Sequence, residues 1–433
     1  MTTGQTRKPL TELDPAALDA RIQQLEARHQ QLQARKLKLD LTRGKPATEQ
    51  LDLSNDLDGI LKGDYRLADG SDARNYGGLR GIPEARQLGA ELLGTRAEVV
   101  MAGGNSSLTL MYQIVTTALN NGLWGPGSSW RASTGGKPVR FLCPAPGYDR
   151  HFAICEALGI EMIPVDIGPD GPDVAQLTEL VSADPTIKGI WCVPKYANPT
   201  GCTYSDEVVR GLAALPKSAG EHFLVLWDNA YAVHHLQSPG DELSDLMAAA
   251  EAAGTADQVV MFSSTSKITF AGAGVAFLAS SENVLKQFER QLGFATIGPD
   301  KVNQLRHVRF LSGRIDEHMR QHAELVKPKF DAVLAQLQSD LAGLDIASWT
   351  EPRGGYFISF DCRPGLAREI VRLAGEAGVT LTPAGATWPY GKDPQDSNIR
   401  LAPTFPSLSD VEAATEVFTL CVELASARQL RAG

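Results

Sequence analysis

The chain has 433 residues, 41 basic against 51 acidic side chains and a net charge of −10. That length exceeds one simple core and leaves room for two or three domains around an enclosed ligand. With no basic block to neutralise phosphodiesters, nucleic acid is excluded as an expected partner.

The six cysteines (Cys143, Cys155, Cys192, Cys202, Cys362, Cys421) lack paired metal-ligand spacing. Several sit in apolar runs, where a free thiol behaves as a small hydrophobe, so a reducing, cytoplasmic location and no bound metal are expected. The first eight residues are polar without a signal-type apolar segment, and no run of about 18 apolar residues suggests a membrane span.

Asp14 before Pro15 reads as a helix N-cap with proline at the first helical position, and Leu18, Ile22, Leu25 and Leu32 then recur at helical spacing. The expectation is one amphipathic helix from 15 to about 36, packed on its own domain or on a sister subunit. A short strand follows from Leu39 and breaks at Gly44 and Pro46, where glycine serves either an ordinary turn or a close backbone approach to a ligand. Residues 76–86 form a glycine-rich loop that enters a helix at Pro83, without the spacing of a dinucleotide fingerprint.

From about 97 to 270, β-type apolar runs alternate with helical patterns, the signature of a mostly parallel sheet covered on both faces. The runs are 98–102, 139–143, 189–193, 223–227 and 259–263. Further on come a helix at 282–291, a cap at Gly298 to Lys301 opening another, and a long helical segment through Leu311, Met319 and Leu325. A second unit then has short strands around 356–360, 379–383 and 398–403 and a helix at about 365–377. The fold class expected is α/β: a seven-stranded-type, mostly parallel sheet between helices, spanning 55–325. Residues 1–54 with 326–433 are expected to form a smaller α+β domain carrying the N-terminal helix.

Each of the five strand runs ends in a polar motif, and in open α/β sheets such strand ends converge on one crevice. The fifth run leads to Ser264-Thr265-Ser266-Lys267. Lys267 is either a surface lysine in a hydroxyl-rich turn or a desolvated amine of lowered pKa. Such an amine can condense with an aldehyde, the way pyridoxal 5'-phosphate is tethered. Asp228 emerges from the apolar run 223–227, and a carboxylate buried there needs a cation, either a basic side chain or a protonated pyridine nitrogen. Tyr231 and Asn198 would bond that ring's phenolic oxygen, or pack as core residues; His151 would orient Asp228, or be merely structural.

Gly104, Asn105 and Ser106 open a helix in the manner of a phosphate cradle, although many helices begin so without a ligand. Ser264 and Ser266 would add hydroxyls to it. Tyr148 follows a Pro-Gly kink and either stacks on an aromatic ring or simply packs. Arg400 offers a fork for a substrate carboxylate, or a surface salt bridge.

Taken jointly, Asn198-Pro199-Thr200-Gly201, Asp228 with Tyr231, Ser264-x-Ser266-Lys267, Asn398-x-Arg400 and the loop beginning Tyr76-Gly77-Gly78 resemble the class I/II aminotransferases of the fold-type I pyridoxal phosphate enzymes. The match runs from about 39 to 420. It is closest to a bacterial aspartate aminotransferase group, through Gly298 to Arg306 and Thr382 to Gly391.

The resemblance implies Lys267 as cofactor tether and proton shuttle, Asp228 on the pyridine nitrogen, and Asn198 and Tyr231 on the ring oxygen. It implies Tyr148 stacking on the ring, Arg400 and the Gly44 backbone on the α-carboxylate, and Tyr76 reaching the phosphate of a neighbouring subunit in a homodimer with shared sites. The implied reaction is ping-pong transfer of an amino group from an L-amino acid to a 2-oxo acid, with L-aspartate and 2-oxoglutarate as the expected pair.

Two positions depart from the pattern. Val275 stands where many relatives carry an arginine for the phosphate. The segment 293–298 holds no base to grip a substrate side-chain carboxylate, which leaves Arg43 and Lys195 as the candidates. The alternatives are an aminotransferase for aromatic or other neutral amino acids, and a pyridoxal phosphate lyase or decarboxylase. A transcription regulator with an aminotransferase-like sensor domain is a third rival, disfavoured because the stretch ahead of residue 39 reads as a single helix.

Overall fold

The computed structural model describes residues 8–433; the polar start noted above otherwise lies outside the described residues. The strands in chain order are β1 (Leu39–Asp40), β2 (Val100–Ala102), β3 (Arg140–Ala145), β4 (Glu161–Gly168), β5 (Gly171–Pro172), β6 (Ile187–Cys192) and β7 (Leu224–Asp228). Then come β8 (Val259–Ser264), β9 (Ala276–Ser280), β10 (Ala347–Trp349), β11 (Ile358–Cys362), β12 (Val379–Thr380) and β13 (Asn398–Leu401).

Eight strands form the large sheet in the order β2-β9-β8-β7-β6-β3-β4-β5. The contiguous strands β8, β7, β6, β3 and β4 are paired in parallel, while β9 runs opposite to both its neighbours. The mostly parallel sheet anticipated from the sequence is present, and each of the five anticipated strands lies within two residues of its expected ends. The eighth strand is the two-residue β5, which hairpins onto the outer edge of β4. All residues of β6, β7, β8 and β9 are buried, as a sheet covered by helices on both faces requires.

A second core is built on the antiparallel sheet β10-β11-β13 and the parallel pair β1-β12. It buries Phe330, Phe360 and Phe418. The helix Pro15–Ala34 belongs here: Asp14 accepts from the Ala17 amide at 2.8 Å, and Leu18, Leu25 and Leu32 are buried. Arg21 pairs with Glu423 at 2.6 Å on the C-terminal helix Leu408–Ala432, so this helix packs on its own chain.

The helix Ile315–Leu341 runs through both cores. Ile315 and Met319 pack with the large sheet, whereas Val326, Phe330, Val333 and Leu337 pack in the second core. Pro328 lies just past the crossover; lacking an N–H, it leaves the Glu324 carbonyl without its helical partner. Near the large-sheet end, His318 and His322 are buried one turn apart. No helix among the described residues is long and apolar enough to cross a membrane.

Burial pushes six histidines down, among them four buried around the Lys267 turn, the others being His222 and His235. His234 falls to about 3 and His322 to about 4, and His307 and His318 are lowered by the same cause. The unfolded chain binds a proton on each ring near pH 6.5, and the folded chain refuses it until the pH is far lower. The stability gained by keeping these rings neutral is therefore complete above about pH 6.5 and is lost as the pH falls toward 4. Calorimetric Tm should stay level from about pH 8 to 6.5 and drop between about 6.5 and 5, above the range of ordinary carboxylates. A level Tm down to pH 5 would show that these rings take up protons in place.

Candidate active site

The parallel strands deliver their C-terminal ends to one edge of the sheet, and there a slot is lined by Ser107, Tyr148, Asn198, Asp228, Tyr231 and Lys267, among others. All five strand-end motifs thus supply slot residues, the first through Ser107 and Leu108 at the start of the helix Ser107–Asn120.

Asp228 is the last residue of β7 and is buried. His151 Nε2 lies 3.0 Å from its Oδ2, and the imidazole is itself stacked on Trp191 at 4.3 Å between centroids. The other carboxylate oxygen, Oδ1, is buried without a partner. An unpaired buried carboxylate oxygen is costly and calls for a donor from a bound group.

Lys267 follows β8 in a turn closed by backbone bonds from Ile268 and Thr269 to the Thr265 carbonyl. Its Nζ lies 5.0 Å from the Tyr231 ring centroid. Desolvation pulls the amine below the ordinary lysine range, opposed by attraction to Asp228. Burial drives the Tyr231 and Tyr148 hydroxyls up, so both stay protonated donors at neutral pH. Tyr148 meets His151 edge-on at 4.9 Å.

Arg400 enters from the second core on β13. Its Nη1 donates to Asn198 Oδ1 at 3.3 Å and to Asp149 Oδ1 at 3.2 Å, its guanidinium lies 4.8 Å from the Phe357 ring centroid, and its buried Nε has no partner. Gly44 faces the same phenyl ring: a Cβ there would stand 2.1 Å from Phe357 Cζ, so no larger residue fits.

Ser106 caps the helix Ser107–Asn120, accepting from the Thr109 amide at 3.4 Å. Gly104 has open space at its Cβ position, and the Asn105 side chain is held by the Gly272 carbonyl at 2.9 Å. Ser264 Oγ and Ser266 Oγ are 2.6 Å apart. Val275 is buried just ahead of β9 and donates its N–H to Thr265 Oγ1, so no base enters from that position.

Tyr76 is 84% exposed and its carbonyl accepts from Lys301 Nζ at 3.3 Å. Arg43 is exposed beside Gly44. Lys195 is buried with its amine over the Tyr196 ring and attracted by Asp241 and Glu242; it does not line the slot.

Sequence reasoning passed over Asp149, Phe357 and the groups behind the Lys267 turn, namely Gln50, His234, His318, His322 and Tyr356. These come from separate elements, and only the i, i+4 spacing of His318 and His322 offered a signal.

The family model described as aspartate amino-transferase matches residues 13–433. A putative aminotransferase of Mycolicibacterium smegmatis is 52% identical over 402 residues, 91% of this chain and 92% of that protein. The aspartate aminotransferase of Corynebacterium glutamicum is 46% identical over 394 residues, 90% of each chain. The crystal structure of an aspartate transaminase from C. glutamicum superposes with a TM-score of 0.94 at 43% identity, covering 98% of this chain and 99% of that one. With its parallel sheet, its strand-end slot and a match over nearly its whole length, this chain belongs to the aspartate aminotransferase family.

Proposed function

We propose that this enzyme is a pyridoxal phosphate-dependent aminotransferase that moves the amino group of L-aspartate to 2-oxoglutarate. The observation that carries the reading is the slot lined together by the desolvated Lys267 amine and the half-satisfied Asp228 carboxylate. The residues present fit the cofactor: the orphaned Asp228 Oδ1 awaits a protonated pyridine nitrogen. When bound, the cofactor supplies an aldehyde that captures the amino group and an electron-poor ring that eases loss of the Cα proton.

In this reading Asn198 and Tyr231 hold the ring oxygen, and Tyr148 stacks on the ring. Ser264, Ser266 and the amides of Gly104, Asn105 and Ser106 hold the phosphate at the positive end of a helix dipole. His151 keeps Asp228 oriented. Lys267 Nζ, buried and readily deprotonated, takes the proton from the substrate Cα, in the manner of a general base with lowered pKa. Arg400, with Asn198 and the Gly44 backbone, grips the α-carboxylate, and Phe357 supports the guanidinium from one face. Arg43, exposed next to Gly44, takes the side-chain carboxylate.

The two hydrophobic cores support a division into a large domain, 55–325, and a small one, 1–54 with 326–433, with the site between them. Tyr76, Phe294 and Ile297 are 84%, 84% and 64% exposed, and the Gly77 and Gly298 backbones pack together at the rim of the phosphate cradle. Such an apolar surface beside the site supports a homodimer in which Tyr76 reaches the partner's phosphate. All six cysteines are free thiols, as a cytoplasmic enzyme would have.

A second reading, toward aromatic or other neutral amino acids, is favoured by the base-free segment 293–298. Comparing kcat/KM for aspartate and phenylalanine with 2-oxoglutarate separates the two: the aspartate reading expects a preference of roughly 10²-fold or more, and a preference for phenylalanine would overturn it.

Lys267→Ala should abolish both the visible absorbance of lysine-bound cofactor and the half-reaction with aspartate; a variant that keeps both would remove the lysine from its role. Asp228→Ala should retain cofactor but lose roughly 10²–10³-fold in kcat, the usual cost of one preorganised electrostatic partner. Unaltered turnover would contradict the assignment.

A further inference from the structure

Five of the eight histidines lie against the Lys267 turn or Asp228: His151 on the carboxylate, and His234, His307, His318 and His322 behind the turn. The last four have no part in the chemistry above, yet they converge on consecutive residues. His234 Nε2 lies 3.2 Å from the Lys267 carbonyl oxygen, and His318 Nε2 lies 2.7 Å from that of Ile268. His307 Nε2 lies 2.9 Å from Thr269 Oγ1.

The contacts close into a circuit. Tyr356 Oη lies 3.4 Å from the Lys267 carbonyl, Gln50 Nε2 lies 3.1 Å from Tyr356 Oη and 3.3 Å from His322 Nδ1, and His322 Nε2 lies 3.3 Å from His318 Nε2. The circuit returns to the backbone at Ile268.

Its hydrogens can be assigned by what each partner is able to do. The Ala47 amide only donates, so the Gln50 atom 3.0 Å from it is the oxygen. The Gln50 nitrogen then donates both its hydrogens, to Tyr356 and to His322 Nδ1. The tyrosine hydroxyl is left to donate to Lys267, and His322 keeps its hydrogen on Nε2, where it shares the Ile268 carbonyl with His318. A charged His322 would set an N–H against an amide N–H, so the ring fits only as neutral.

The members come from elements remote in sequence. Gln50 lies in the helix Thr48–Asp52, His318 and His322 on the long helix Ile315–Leu341, and Tyr356 just ahead of β11 in the second core. The three elements therefore bear on two consecutive peptide groups, Lys267–Ile268 through the Lys267 carbonyl and Ile268–Thr269 through the Ile268 carbonyl.

We propose that Gln50, His234, His318, His322 and Tyr356 are positioning residues that hold the consecutive Lys267–Ile268 and Ile268–Thr269 peptides from behind and set the reach of the lysine amine relative to Asp228. The proposal rests on Lys267 being the reacting amine. Fixing the two carbonyls fixes the Cα from which a long, flexible side chain departs. A displacement of about 1 Å at such a centre can cost up to roughly 10²-fold in rate.

The test uses holoenzyme carrying Tyr356→Phe, which deletes only the hydroxyl, and His322→Phe, which deletes both ring nitrogens. The control is His29→Phe, a buried histidine held by the Leu373 carbonyl at 2.9 Å far from the slot. Single-turnover rate with aspartate, aspartate Kd and the pH midpoint of the bound cofactor's visible absorbance are measured beside Tm.

Both circuit variants should slow the single turnover by roughly tenfold or more, leave Kd within about twofold, and move the spectral midpoint. His29→Phe should lower Tm without touching rate or midpoint. If Tyr356→Phe and His322→Phe lower Tm alone, with wild-type rate and midpoint, the circuit is structural and the proposal falls. Tyr356→Phe decides the matter if His322→Phe does not fold. Lys267→Ala is run in parallel: retained absorbance and half-reaction there would overturn the role of the lysine itself, whereas its loss alongside unshifted circuit variants overturns only the positioning.

Discussion

One carboxylate sets the terms for the site. Asp228 ends a fully buried strand, and removing a charge from water there is tolerable only with partners on both oxygens. His151 satisfies one, and the stacking of its ring on Trp191 holds it in place. The other, Oδ1, is buried without a hydrogen-bond partner among the described residues. Around that carboxylate the remaining groups take their positions: the lysine amine over Tyr231, the Asn198 amide beside Arg400, and the hydroxyl pair Ser264 and Ser266 at the neighbouring strand end.

Two cores meet at this point, and neither holds all the groups of the slot. The large sheet brings the strand-end side chains, while β13 carries Arg400 in from the second core and Phe357 ahead of β11 supports it. Gly44 is small because that ring leaves no space for more. The long helix Ile315–Leu341 takes part in both cores and places His318 and His322 beneath the lysine turn, so the packing that joins the cores also braces the residue at the centre of the proposed chemistry.

The elements most legible in sequence were those with a strong local signal. Buried parallel strands read as uninterrupted apolar runs, and Asp14-Pro15 marked a helix start to the residue. Lys267, Asp228, Tyr231 and Asn198 stood out because each follows such a run, and the sheet brings all four to one slot. Strand β4 escaped notice because its burial alternates toward the sheet edge, and β9 because it runs against its neighbours directly after the lysine loop. The histidine circuit was illegible for a different reason: Gln50, His234, His318 and Tyr356 meet only in three dimensions, and no spacing relates them. Lys195 had the right composition for a substrate contact but turns toward Asp241 and Glu242, away from the slot.

The proposed chemistry depends most on Asp228 keeping a pyridine nitrogen protonated inside the slot. The direct measurement is ¹⁵N NMR of the holoenzyme loaded with cofactor labelled at the ring nitrogen, recorded between about pH 6 and 8. The chemical shift of a protonated pyridine is expected throughout that range, reverting to the unprotonated shift in Asp228→Ala. An unprotonated nitrogen in the wild-type enzyme would contradict it.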